Sequence, residues 1–335
     1  MTEISFGDQH VARRVRAWAP GVRYVLGRLL GGAIVLLVGS FAVFVTMKAA
    51  PGDPALSALG ENASPDAVAA FRIAYGLDQP ILVQFWHWLR AMLAGDFGNS
   101  LVVAARQPIS QLILARLPAT IFIGLYALAI AVSLSLVLGI VAALRRGSAA
   151  DTIATSLAVF GISMPDFWLS YVLIFGLSLS LGLFPAYGFV SPATDILGAL
   201  HAGFLPALAI AAPMSAVLAR TLRAVLLEVM HRPYVLAARS FGFSRKLVLL
   251  QYILRNALVP YLTVVGLQIR YLLGGVVVIE RIFGIPGIGT LMVDGAFGRD
   301  YPLVQACTIV FLAIVLGVNV LVDLICSSLD PRRSR

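Results

Sequence analysis

Ionisable side chains inside long apolar segments are the first candidates for chemistry in this 335-residue sequence. Asp166 follows Met164-Pro165, Arg270 lies in a later apolar segment, and Asp323 lies near the end of the last one. A charge in apolar surroundings is costly unless it faces a partner charge, water or the interior of a helix bundle. Asp323 is close enough to its segment end to reach water. We predict that Asp166 and Arg270 lie on a path for a polar solute, with a structural ion pair as the open alternative.

The common catalytic and nucleotide-binding motifs do not occur in the sequence. It has no Gly-x-x-x-x-Gly-Lys-[Ser/Thr] phosphate loop and no Gly-x-Ser-x-Gly nucleophile motif. The four histidines lack the i, i+4 spacing of a helical zinc site, and Cys307 and Cys326 are too far apart for a metal pair. We therefore predict no enzyme activity, catalytic residue, metal or cofactor, and any ATP hydrolysis must come from separate subunits.

The amino-acid composition places the chain in a membrane. Hydrophobic residues make up 60% of the chain and charged residues only 12%, whereas soluble domains have about 25% charged residues. The formal net charge is +9. In a membrane protein such an excess is typical of loops that stay in the cytoplasm, so we predict no nucleic-acid partner.

Six apolar segments are long enough to cross about 30 Å of hydrocarbon, which takes roughly 20 helical residues. They are residues 29–47, 117–144, 152–181, 204–222, 259–279 and 302–327. Runs of this length favour helices over barrel strands of about 10 residues with alternating polarity. The predicted fold is an all-α integral membrane protein with six transmembrane helices.

Basic residues are distributed unequally between the connections on the two sides. One side holds both chain ends, Arg145-Arg146 and the arginine-rich residues 223–258. On the other side, around residues 49–116 and near the last span, acidic residues balance the arginines. Examples are Asp53, Glu280, Asp294 and Asp300. By the positive-inside rule, both termini and residues 223–258 are predicted to be cytoplasmic and residues 49–116 external.

This distribution predicts a cytoplasmic tail of residues 1–24, a transmembrane region of residues 25–330 and a cytoplasmic tail of residues 331–335. Within the external segment, Ser64-Pro65 is typical of a helix start. The cluster Phe85-Trp86-His87-Trp88 predicts an interfacial helix, either as a lipid-facing cap or as a contact for a delivered solute.

A short basic segment, residues 234–255, lies between two apolar spans. Small residues at Ala237 and Ala238 allow close approach to another protein surface, and Gly242 allows a sharp turn directly afterwards. Basic residues surround this segment: Arg232, Arg239, Arg245, Lys246 and Arg255. We interpret it as a docking element, with an ordinary basic loop as the alternative.

Short glycine- and proline-containing strings punctuate the chain. In order they are Ala50-Pro-Gly-Asp-Pro-Ala55, Gly76-Leu-Asp-Gln-Pro80, Gly95-Asp-Phe-Gly98, Phe283-Gly-Ile-Pro-Gly-Ile-Gly289, Arg299-Asp-Tyr-Pro302 and Leu329-Asp-Pro331. They resemble the permease subunits of dipeptide, oligopeptide and nickel-type ABC importers over almost the whole chain after about Arg23. Ala237, Ala238 and Gly242 likewise resemble the family's Glu-Ala-Ala-x-x-x-Gly coupling loop, although Leu236 stands in place of its glutamate.

The resemblance implies a type I ABC importer permease fold with a cytoplasmic coupling helix. The residues implied to contact the ATPase are Tyr234, Ala237, Ala238, Arg239, Gly242 and Arg245. It also implies a pore-forming subunit that moves short peptides, or related solutes such as nickel chelates, across the bacterial cytoplasmic membrane by alternating access. The implied partners are a sister permease in a heterodimer, two cytoplasmic ATP-binding subunits, an external solute-binding protein and membrane lipid. An ion-coupled secondary transporter is the alternative, although the sequence shows no internal inverted repeat.

Overall fold

The structure, a computed structural model, describes residues 27, 30–49, 53–60, 62–104 and 107–329. Within these ranges the chain is helical and forms no strand, which confirms the all-α prediction. The predicted tails, residues 1–24 and 331–335, lie outside the described residues, as do parts of the first and last of the glycine- and proline-containing strings.

The helices follow one another with connections of varied length, the longest lying before α5 and before α8. In chain order they are α1 (Leu30–Ala49), α2 (Pro54–Leu59), α3 (Pro65–Ala74), α4 (Ile81–Leu93), α5 (Ile109–Leu144), α6 (Ala149–Ser163), α7 (Asp166–Leu173), α8 (Ile196–Met230), α9 (Pro233–Ser240), α10 (Arg245–Leu247), α11 (Arg255–Phe283), α12 (Ile288–Phe297) and α13 (Tyr301–Leu329). Two π-helical segments, Ile174–Ser180 and Val248–Leu254, extend α7 and join α10 to α11.

Among the described residues, five helices are long and apolar enough to cross a membrane, and two bent helix pairs raise the number to as many as seven. The predicted span over residues 152–181 is not one continuous helix but a bent pair of helices. α6 and α7 meet there at an angle of 108°. Pro165 explains the break, because the residue before a proline is disfavoured in a helix, and Met164 accordingly has extended backbone angles.

The centre of the fold is the pair α5 and α8, which run parallel and form the most extensive helix contact among the described elements. α5 buries a small residue at every fourth position: Ala127, Ala131, Ser135, Gly139 and Ala143. Such a stripe lets helix backbones approach closely. A Cβ on Gly139 would lie only 3.0 Å from the backbone oxygen of Ala219 on α8.

The segment before α5 forms a small helical unit that packs on α1. Ser64 caps α3 by accepting a hydrogen bond from Ala67 N at 3.3 Å, and Pro65 is its first residue, which confirms that helix start. The Phe85 ring of α4 is buried, with its centroid 5.0 Å from that of Phe41 and 5.6 Å from that of Phe44. The aromatic cluster therefore packs partly against α1, while Trp86 stays exposed.

Asp300 ties this unit to the start of α13. Its Oδ2 accepts hydrogen bonds from Ser100 Oγ at 2.5 Å, from Leu101 N at 2.9 Å and from Val102 N at 3.0 Å. The carboxylate is fully buried. Asp300 thus balances charge on this side of the chain through hydroxyl and backbone donors. Asp53 and Asp294, which were counted with it, pair with Arg72 and Arg281 at 2.5 and 2.7 Å.

Candidate coupling surface and translocation site

The segment predicted to dock another protein folds as a helix and a tight turn. Arg232 precedes α9 with extended backbone angles, and Pro233 occupies the first helical turn, where its missing N–H costs nothing. After α9 ends at Ser240, Gly242 adopts φ +78°, which confirms the predicted turn. Its N–H donates to Arg239 O at 3.0 Å. Ser244 then accepts from Leu247 N at 3.4 Å and starts α10.

The two alanines of α9 differ in burial. Ala238 is buried with Val235 in the chain's own core, together with Val248 and Ile253 of the following π-helical segment. Ala237 is exposed. The sequence alone assigned both alanines to one docking face, and the structure instead gives Ala238 an internal packing contact.

The outward side of α9 and its turn is apolar. Leu236 is 51% exposed and Phe241 is 79% exposed, and Tyr234 is also exposed. Apolar side chains that stand out of a helix otherwise anchored in the core are typical of a protein contact. In the sequence, Leu236 stands out only as a departure from the family glutamate, and the one signal for Phe241 is its position beside the turn glycine Gly242.

Arg239 and Arg245 meet at the rim of a groove beside α9. The groove has a volume of about 790 Å³, and Phe243, Lys246 and Ile253 also line it. Both arginines are exposed. Their charges therefore border the apolar outward side of α9 and favour a partner with acidic groups around its contact area.

An ion pair clamps α6 to α8 near this surface. Arg223 donates to both carboxylate oxygens of Asp151, from Nε and from an η nitrogen, at 2.8 Å each. Asp151 is buried and also accepts from Gly147 N at 3.0 Å. The charge pattern of the sequence places Arg223 with the cytoplasmic loop charges, and it gives no sign of Asp151, which lies 72 residues away along the chain.

Removing the charge of this clamp is expected to destabilise the helix bundle. Asp151→Asn weakens two charge-assisted hydrogen bonds and leaves Arg223 without its counter-charge, so the free energy of unfolding should fall by about 1.5–3 kcal/mol. Thermal unfolding in detergent measures this. The control is Glu228→Gln, which breaks the exposed Arg232–Glu228 pair and should change stability by less than about 0.5 kcal/mol. Equal stability of the two variants would contradict a structural clamp.

Asp166 lies at the break between α6 and α7. Its Oδ1 accepts from Phe167 N at 3.0 Å. Its other oxygen reaches the backbone of α11, because a Cβ on Gly275 would lie 2.8 Å from Oδ2. Arg270 is part of α11, five residues before Gly275, and its side chain lies outside the described residues. A path role for Asp166 and Arg270 therefore stays a prediction.

A buried carboxylate holds α12 against α11 and α5. Glu280 is fully buried, and its oxygens accept from Thr120 Oγ1 at 2.6 Å and from Thr290 N at 3.1 Å. Thr120 Oγ1 in turn accepts from Ile288 N at 2.9 Å. Glu280 thus satisfies backbone donors at the start of α12, a packing role that its place in the charge pattern of the sequence does not show. In the described part of the chain, no group of three His, Cys, Asp or Glu residues could hold a metal ion.

Comparison with known proteins decides the family. Residues 135–335 match the model of the binding-protein-dependent transport system inner membrane component, and residues 21–124 match the model of its N-terminal part. The chain belongs to this family. It is a multi-pass permease subunit of an ABC importer in the inner membrane, which confirms the resemblance and identifies a transport subunit rather than an enzyme.

Several relatives of this permease cover nearly the whole chain. A putative peptide transport system permease of Brucella abortus (strain 2308) is 42% identical over 92% of this chain and 98% of its own length. The oligopeptide transport system permease AppB of Bacillus subtilis (strain 168) is 39% identical, and the glutathione transport system permease GsiC of Salmonella typhimurium 38%, with the same coverages. A crystal structure of an amino acid ABC transporter with histidines shares the fold, with a TM-score of 0.52 at 18% identity over 65% of this chain and 94% of that chain.

The local structure of this permease requires glycine at the glycine positions of the string Phe283–Gly289. Gly284 ends α11 with φ +62°. A Cβ on Gly287 would lie 2.0 Å from Glu280 Oε1, and a Cβ on Gly289 would lie 2.7 Å from Val277 Cα. The α11–α12 bend of 79° therefore depends on glycines that let the α12 start approach Glu280.

Proposed function

We propose that this permease imports short peptides by alternating access, driven by ATP hydrolysis on separate subunits. The relatives named for peptide, oligopeptide and glutathione transport support a peptide substrate. Nickel chelates and other small solutes are the nearest alternatives. The ion-coupled secondary transporter receives no support from these relatives.

The outward side of α9 is the observation that carries this proposal. It offers exposed Leu236, Ala237 and Phe241 on a helix whose inner side is fixed by Val235 and Ala238. A rigidly anchored helix with an apolar outer side can transmit a push from a docked partner into the bundle. After the turn and α10, the π-helical segment Val248–Leu254 leads into α11, and its Val248 and Ile253 lie in the same core cluster as Val235 and Ala238 of α9.

The proposed assembly contains this chain, a sister permease, two cytoplasmic ATPases and an external solute-binding protein. The ATPases contact the α9 surface, with Tyr234, Ala237, Arg239, Gly242 and Arg245 as contact residues and Ala238 as their inner support. Asp166 at the α6–α7 break is the candidate path residue, because broken helices place polar groups where they face a cavity.

Reconstitution of the assembled transporter in liposomes tests this function. Labelled di- and tripeptides should accumulate only with external binding protein and internal ATP, and a nickel chelate should not accumulate. Uptake that persists without nucleotide but follows an ion gradient would contradict an ATP-driven importer. Accumulation of the chelate in place of peptide would contradict the substrate assignment alone.

Orientation is tested by cysteine labelling. We expect Asn62→Cys to react with a membrane-impermeant reagent on intact cells and Lys246→Cys to react only after permeabilisation, since the first is proposed to be external and the second cytoplasmic. Both side chains are exposed and cap no helix. The unsubstituted chain, whose Cys307 is buried, is the control. Labelling of Lys246→Cys on intact cells would refute the proposed orientation.

A further inference from the structure

A cavity of about 620 Å³ lies away from α9, between the end of α1, the helices α3 and α4, and the start of α13. Its volume is within the range of about 300–1,000 Å³ found for small-molecule sites. Aromatic rings form its walls, among them Phe44, Phe71, Tyr75 and Trp88. Neither the coupling surface nor the Asp166 site uses it.

Two buried polar side chains open into this cavity. Tyr301 and Gln305 lie one turn apart on α13 and are only 7% and 5% exposed. Within the described ranges, neither the Tyr301 hydroxyl nor the Gln305 amide has a hydrogen-bond partner. Both residues line the cavity, and no fully buried side-chain nitrogen or oxygen of the described chain lacks a partner, so the hydroxyl and the amide are accessible to a ligand or to water. Buried polar groups of this kind require a ligand or water to satisfy them.

The charge of the cavity wall is positive. Lys48 lines it, with its ammonium 5.9 Å from the centroid of the Phe44 ring, and none of the described lining residues is a carboxylate. The nearby Asp53 is already paired with Arg72 at 2.5 Å. The ligand therefore combines an anionic group with an apolar body.

The cavity lies at the level where a membrane meets water. Lys48 is in the last turn of the apolar span α1, and Tyr301 begins the apolar span of α13. Lysine and aromatic side chains at this depth contact lipid headgroups. We propose that the cavity binds one anionic phospholipid, with its phosphate at Lys48, its ester region at Tyr301 and Gln305, and an acyl chain along Phe44 and Trp88.

Retention of lipid by the purified transporter tests this site. The intact complex, transferred to nanodiscs of phosphatidylcholine with a small fraction of phosphatidylglycerol, should retain phosphatidylglycerol in native mass spectrometry. Lys48→Met should lower that retention roughly tenfold, as expected for loss of one charge-assisted contact. Gln305→Leu should lower retention of both lipids, because it removes a contact to the uncharged ester region.

Lys246→Met is the matched control, since Lys246 is an exposed cation far along the chain at the α9 groove. Its lipid retention should equal that of the parent complex. Equal retention in Lys48→Met and the parent would overturn the proposal. If a short peptide displaced the bound lipid and occupied the cavity to the same extent, the proposal would also be overturned, because the cavity would then be a solute site. Failure of peptide uptake in liposomes, by contrast, would leave the lipid result unchanged.

Discussion

The variant Ala237→Glu is expected to lose peptide uptake while its abundance in the membrane stays normal. Ala237 is exposed on the outward side of α9, so a glutamate there causes no clash within the chain. Against a docked ATPase the carboxylate would be buried without a partner, at a cost of about 3 kcal/mol or a roughly hundredfold loss of docking. Uptake in liposomes and ATPase subunits retained on the purified permease measure this loss.

Ala238→Glu is the matched control, because the same substitution at the neighbouring position points into the core beside Val248 and Ile253. It should reduce the amount of folded chain in the membrane, and any loss of uptake should follow that reduction. Normal uptake by Ala237→Glu with a full complement of ATPase would show that α9 is not the coupling surface. Loss of abundance in both variants would show that Ala237 also packs internally.

The variant Gly289→Ala is expected to destabilise the chain strongly. Its Cβ would lie 2.7 Å from Val277 Cα and 2.8 Å from Glu280 Oε2. The first neighbour is backbone and cannot rotate away, and the second is held by Thr120 and Thr290. Overpacking of this kind costs about 1–3 kcal/mol and should lower the midpoint of thermal unfolding in detergent.

Gly317→Ala provides the control for this second variant. Gly317 is within α13, and a Cβ there meets no atom of the described chain within 4 Å. Replacing a helical glycine by alanine without a clash is expected to raise stability by about 0.4–1 kcal/mol. An unfolding midpoint for Gly289→Ala at or above that of Gly317→Ala would mean that α12 can move away from α11, against the packing argument.

Hydropathy and local signals predicted much of this fold. The apolar runs located the spanning helices, the Ser64-Pro65 pair located the start of α3, and Gly242 located the turn after α9. The helix ends were less well predicted. α5 begins at Ile109 and α8 ends at Met230, both beyond the apolar runs, because packing between helices extends them past the hydrocarbon.

The parts that sequence reasoning missed depend on contacts between distant segments. Asp151 and Arg223, or Thr120 and Glu280, are 72 and 160 residues apart, and no local periodicity connects them. The charge pattern consequently gave no indication that Glu280 is fully buried. The sequence also could not predict which side of α9 is buried. An eight-residue helix has too few turns to show which of two neighbouring alanines faces inward.

The α5–α8 pair has a consequence for how the chain is made. The two halves of this contact are separated by α6 and α7, so α5 enters the membrane long before its partner has been synthesised. Its stripe of small residues therefore stays exposed to lipid until residue 230 has left the ribosome. Helices inserted one by one associate only afterwards. A nascent chain that stops after α7 therefore lacks the main partner of its central helix, which makes the interval before α8 emerges the time when proteolysis can most easily remove it.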